Sequence, residues 1–107
     1  MKTSSAKAKG RLLQQLVAKK LRESFPQFTE LDITSTSMGV SGEDVKLSQP
    51  AKNLLKIQVE CKNRAKIAVF QDYAQAMTHG NAEPVVVLKQ NRSKPLALID
   101  LDYFIQL

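Results

Sequence analysis

Leu13, Leu16, Val17, Leu21 and Phe25 recur at spacings of three and four, with polar residues between them. That period gathers them on one side of a helix. An amphipathic helix is therefore expected from Gly10 to about Phe25, ended by Pro26. Residues 1–9 then read as a flexible basic arm, and residues 10–107 as a single domain. Leu31 to Ser37, rich in Thr and Ser around Ile33, predicts a first strand. Met38 to Gly42 is a glycine-flanked loop, and Glu43 to Leu47 a short second strand. Ser48 to Ala51 holds Pro50 and predicts a turn, with or without one helical turn. Leu54 to Lys62 predicts the third strand. Ile67 to His79 predicts a second helix with Ile67, Phe70, Ala74 and Met77 as its core stripe, stopped at Gly80-Asn81. Val85 to Leu88 is a continuous apolar run, as a strand covered on both faces would show. Lys89 to Pro95 is a basic turn, Leu96 to Ile99 a final strand, and Asp100 or Asp102 a cap for a short terminal helix. The order α-β-β-β-α-β-β predicts an α/β domain, a mixed sheet flanked by helices.

A chain of 107 residues supports one domain with a modest core. No apolar run approaches the ~18 residues of a membrane span. The Lys and Ser at the N-terminus are followed by no apolar segment, unlike a secretory signal. The single cysteine, Cys61, allows no internal disulfide, and its place in an apolar pattern reads as a buried thiol. Net charge is +6, and its distribution carries more than its size. Residues 1–22 hold Lys2, Lys7, Lys9, Arg11, Lys19, Lys20 and Arg22 and no acidic residue. Such a block is a footprint for a polyanion, and equally the look of a solvated basic helix face. The chain has no Trp and six aromatics, which disfavours a base-stacking platform for single strands.

What shifts this balance is Ile57-Gln58-Val59-Glu60-Cys61-Lys62. Side chains alternate along a strand. Leu55, Ile57, Val59 and Cys61 then share an apolar face, and Lys56, Gln58, Glu60 and Lys62 the other. The same alternation, with Val45 and Leu47 toward the core, selects Asp44 over Glu43 for the polar face. If the two strands pair, Asp44, Glu60 and Lys62 converge: two carboxylates able to hold a divalent metal, beside an ammonium. That constellation suits phosphodiester hydrolysis.

Asp44 followed after a gap by Glu60-Cys61-Lys62, on consecutive strands between two helices, resembles the PD-(D/E)xK nuclease superfamily. Within it the chain is most similar to the small phage and archaeal-type Holliday junction resolvases. The segments that carry the likeness are Lys9-Gly10-Arg11, Met38-Gly39-Val40-Ser41-Gly42-Glu43-Asp44-Val45 and Glu60-Cys61-Lys62-Asn63. Glu43 stands where the superfamily's name has proline. Gln14 stands where archaeal-type resolvases carry a glutamate on the first helix.

The resemblance implies a restriction-endonuclease-like core and a Mg²⁺-dependent, structure-selective DNA endonuclease, with Mn²⁺ able to substitute. Asp44, Glu60 and the backbone carbonyl of Cys61 would hold the metal, and Lys62 would attend the scissile phosphate. Gln14 would orient a water; alternatively it is a hydrogen-bonded polar residue at the core's edge. Ser41 is a candidate backbone contact or a turn serine. Lys7, Lys9, Arg11, Arg64, Lys66, Lys89, Arg92 and Lys94 are candidate phosphate contacts. Gln71, Gln75 and His79 form a polar helix stripe that approaches the site or faces solvent. A helix C-terminus accounts for His79 without chemistry. The implied partners are branched or duplex DNA and a second copy of the chain, with no membrane, in the cytoplasm of a bacterial or phage-infected cell. Other nucleases of the same chemistry, and a non-catalytic DNA-binding accessory protein, are the competing expectations.

Overall fold

A computed structural model of the chain describes residues 3–37 and 40–107. Met1 and Lys2 of the expected arm, and Met38 and Gly39 of the expected loop, lie outside the described residues. The first helix, α1, spans Thr3–Ser24 and so begins well before Gly10. Ala and Lys at positions 6 to 9 are strong helix formers. The Lys9 carbonyl also accepts from Asn63 Nδ2 at 3.3 Å, and its ammonium donates to Asn91 Oδ1 at 2.8 Å. Residues 3–9 of the segment expected as an arm are thus helix, tied at Lys9 to two other parts of the chain.

The elements that follow are β1 (Ile33–Ser35), β2 (Val45–Leu47), α2 (Gln49–Leu55), β3 (Ile57–Asn63), α3 (Val69–Met77), β4 (Glu83–Lys89), β5 (Leu96–Leu98) and α4 (Leu101–Gln106). The strands form one five-stranded sheet in chain order. β3 and β4 run parallel, with α3 as their crossover, and the other neighbours are antiparallel. The sheet is therefore mixed and flanked by helices. Leu13 and Ala18 of α1 join Ile33, Val45, Leu47, Val59, Cys61 and Val87 in the main core. α3 packs against β3 and β4. Buried Val86 alternates with Val87, so β4 is covered on both faces, as its apolar run predicts. No described helix is long and apolar enough to cross a membrane.

Two expectations fail for identifiable reasons. Leu54, Leu55 and Lys56 do not belong to β3. Ser48 caps α2 by accepting from the Ala51 N–H, and Pro50 sits in the first turn, where its missing N–H costs nothing. Lys56 ends the helix in the left-handed region, at φ 55°, and its amide bonds Lys52 O at 2.9 Å. The expected core stripe of α3 is also turned. Phe70, Ala74 and Met77 are exposed, while Asp72 and Ala76 are buried. The face of β3 beneath this helix carries Gln58 and Glu60, so the inward side of α3 is the one that meets polar groups. At the other end, Asp100 rather than Asp102 caps α4, accepting from the Tyr103 N–H at 3.0 Å.

Ile33 is fully buried and Leu54 is half exposed on α2. Ile33→Ala should lower unfolding free energy by about 2–5 kcal/mol, and Leu54→Ala by roughly 0.5 kcal/mol or less. Denaturant titration of both variants checks this, and equal losses would contradict the placement of α2.

Candidate active site

Asp44 immediately precedes β2, after a turn in which Gly42 takes φ 106°. Its backbone is held from both sides. The Asp44 N–H donates to Val59 O and the Thr36 N–H donates to Asp44 O, each at 2.8 Å. The buried Thr36 hydroxyl adds a bond to Glu43 O at 2.6 Å. The side chain is held as well, because Asp44 Oδ2 accepts the Cys61 N–H at 2.7 Å. β2 begins only at Val45, and the carboxylate takes over the amide that a β2 begun earlier would have bonded. Each residue of a strand turns its own N–H and C=O to the same side. The Cys61 carbonyl therefore lies on the edge of β3 that meets Asp44.

Glu60 is 2% exposed. Its carboxyl is pushed up to about 7, by burial first, then by the hydrogen bond and the charge of Asp44 beside it, with Lys62 opposing. Lys62 Nζ lies 3.4 Å from Glu60 Oε2 and donates to Gln75 Oε1 of α3 at 2.8 Å. His79 Nε2 lies 3.5 Å from Glu60 Oε1, without hydrogen-bond geometry and without another partner. The predicted trio of Asp44, Glu60 and Lys62 thus meets at the seam of β2, β3 and α3. The neighbouring carboxylate disfavours a charge on Glu60, which a bound cation would offset. Burial, followed by the charges of Asp44 and Glu60, raises the Cys61 thiol far above the usual range, so it is an inert core group.

Gln75 and His79 stand at the site, where the sequence left their stripe without a role. Gln58 explains how they are placed. Its Nε2 donates to Ala76 O at 2.7 Å and Gly80 O at 3.3 Å, and its Oε1 accepts the Ala82 N–H at 3.1 Å. One buried amide therefore fixes the end of α3 onto β3. Gly80 is needed there, since a Cβ would come within 2.8 Å of Gln58 Oε1 at a φ of 156°. Thr36 and Gln58 were missed as positioning residues. The only sequence signal was their polarity inside strand patterns.

Gln14 is buried on α1, beside the opposite face of the sheet, and its Oε1 has no hydrogen-bond partner. No hydrogen bond joins it to Asp44, Glu60 or Lys62 among the described residues. The cationic candidates fall mostly at one end of the molecule. Arg64 N–H donates to Lys89 O at 3.1 Å, Gln90 Nε2 donates to Ala65 O at 2.9 Å, and Lys9 reaches Asn91. These bonds collect Lys9, Lys66, Lys89, Arg92 and Lys94 just past Lys62. Lys7 and Arg11 are exposed on adjoining turns of α1, and Ser41 is exposed in the loop before Asp44. Arg64 differs: its guanidinium pairs with buried Asp72 at 2.5 Å, fastening the start of α3.

Family models, curated proteins and solved structures were each compared with the chain, and none matches. What supports a functional reading is the site's own geometry together with the resemblance of its motifs. Among the described residues no group of three or more His, Cys, Asp or Glu is arranged to hold a metal. The donor set is two carboxylates and a carbonyl. Mg²⁺ keeps several waters and needs only one or two carboxylates from a protein, so the set fits that ion.

The Glu60 carboxyl gives a pH test. Between its ordinary 4.5 and about 7, the folded chain holds a proton that the unfolded chain has released. The stability this supplies is complete below the lower value and is lost as pH rises through the upper one. In a metal-free chelating buffer, thermal unfolding of the wild type should lose stability over this window relative to Glu60→Gln. Parallel curves for the two proteins would contradict the paired-carboxylate geometry.

Proposed function

We propose that this protein is a Mg²⁺-dependent DNA endonuclease with a restriction-endonuclease-like core, and that it resolves Holliday junctions as a homodimer. The observation that carries the reading is the meeting of Asp44, Glu60 and Lys62 beside a basic end of the sheet. Asp44, Glu60 and the Cys61 carbonyl would hold the cation, with Mn²⁺ as a substitute. The cation would supply charge neutralisation at the phosphate and a lowered pKa for the attacking water.

The chain's own groups supply the rest. Asp44 and Glu60 are pre-positioned by the Cys61 N–H and by burial, so little reorganisation accompanies loading. Lys62, steadied by Gln75, would offer an ammonium where charge builds on the phosphate. Glu60 balances the Lys62 charge. His79 borders the same carboxylate and restricts how it turns. Lys9, Lys66, Lys89, Arg92 and Lys94, with Lys7 and Arg11, would grip the backbone on either side without reading sequence.

The junction preference rests on the likeness of the motifs to those of the resolvases, and the dimer follows from it. Resolution needs two opposed cuts, one chain offers one site, and a two-fold dimer offers two. A cytoplasmic location in a bacterial or phage-infected cell is part of the same proposal.

Asp44→Asn should abolish cleavage and leave DNA binding nearly unchanged, because asparagine still accepts the Cys61 N–H. Glu60→Gln should behave alike. Lys62→Ala should slow cleavage roughly 100-fold or more, the scale of losing a transition-state donor. A gel assay in Mg²⁺ reads all three, and wild-type rates in either carboxylate variant would sink the site assignment.

On synthetic substrates, a four-way junction should be cut at opposed strands near the branch and should outcompete linear duplex. Neutralising Lys7, Lys9 and Arg11 together should weaken binding to both substrates and flatten its salt dependence. Equal cutting of linear duplex would replace the resolvase reading with that of a general nuclease.

A further inference from the structure

α3 presents two very different flanks. At 100° per residue, Asp72 and Ala76 define its buried side, and Gln71 and Gln75 lie on the flank toward the site. Ala74 points directly away from the buried side, and Phe70 and Met77 lean from there to the other flank, toward β5. Phe70 is 88% exposed there. The same groove between α3 and the β5–α4 junction is lined by Val69, Phe70, Leu98 and Leu101. Beyond it, α4 carries Leu101, Phe104 and Ile105 and has no buried residue. A six-residue helix that buries nothing lacks the tertiary packing on which short helices depend.

We propose that this face, formed by Phe70, Met77, Leu96, Leu101, Phe104 and Ile105, is a homodimer interface on which α3 and α4 of a second copy pack. The area argues for a protein-sized occupant. These six residues are 54% to 88% exposed. At about 200 Å² per large apolar residue, that leaves on the order of 800 Å² open. A standard interface buries ~800 Å² on each partner.

The charge pattern argues for a second copy. The chain has 16 basic and 10 acidic residues, yet α3 exposes none of them and α4 only Asp102, and charge enters the face only at its edges, at Asp100 and, beside Leu96, at Lys89 and Lys94. Charge depletion of this kind marks the core of a protein interface. Nucleic acid or an anionic lipid surface would call for lysines there, and α3 and α4 contain neither Lys nor Arg. A neutral, apolar patch is complementary to itself, as a two-fold contact requires. It also lies across α3 from Gln75, so the partner would brace the helix that holds Lys62 without covering the site.

Sedimentation equilibrium of the wild type, without DNA or metal, tests this independently of any nuclease activity. A mass twice the chain's 11.9 kDa is expected. Phe70→Glu and Phe104→Glu should each weaken the dimer at least about 30-fold, the scale of losing an interface hot spot. Because both side chains are exposed, circular dichroism should be unchanged. Amide shifts of the wild type on dilution give a second reading that needs no variant, and they should be confined to α3, β5 and α4. A monomeric wild type overturns the proposal, whatever else covers the face. So does an assembly larger than a dimer, a dimer that survives both substitutions, or dilution shifts centred elsewhere.

Discussion

A carboxylate buried beneath a helix and set against a second carboxylate is a pairing that folding alone disfavours. Glu60 is in that position, and its raised pKa records the cost. The rest of the site is arranged so that the pair persists. The Cys61 N–H holds Asp44, Lys62 and His79 flank Glu60, and Gln58 pins the end of the helix that covers them. Moving any one of these would let the carboxylates separate toward water.

The fold supplies this geometry through one short strand. Because β2 starts only at Val45, the edge of β3 beyond it keeps an amide and a carbonyl without a strand partner, and the Asp44 side chain enters that space. The parallel β3–β4 pair then brings Lys62 next to Leu88 and Asn63 next to Lys89. Loops that leave this end of the pair are short and basic, so cationic groups lie beside the carboxylates. Arg64 is set apart from the others, because buried Asp72 engages it.

Much of this was legible in the sequence. The alternation from Ile57 to Lys62 gave the facing of Val59 and Cys61 against Glu60 and Lys62, and the Val85 to Leu88 run gave a strand covered on both faces. What escaped had local causes. Pro50 reads as a turn residue, yet it suits the first turn of a helix, and the left-handed Lys56 that ends α2 has no signature in composition. Apolar spacing in α3 pointed to Phe70 and Met77 as core, because periodicity reports which residues share a side and not what that side meets. The polar upper face of β3 turned the helix the other way. Gln75 and His79 were visible as a stripe, but only the tertiary packing places them against Lys62 and Glu60. Gln14, placed at the metal by resemblance, sits buried outside the hydrogen-bonded cluster.

The central claim is that Asp44 and Glu60 form a site for one divalent cation. Carbon-detected NMR of the Glu60 carboxyl, titrated with pH in the presence and absence of Mg²⁺, tests it at the atoms concerned. Without the ion, the carboxyl should titrate near 7. With saturating Mg²⁺ it should titrate well below that, because the cation would favour the ionised Glu60 carboxylate. A titration that Mg²⁺ leaves unmoved would contradict the account.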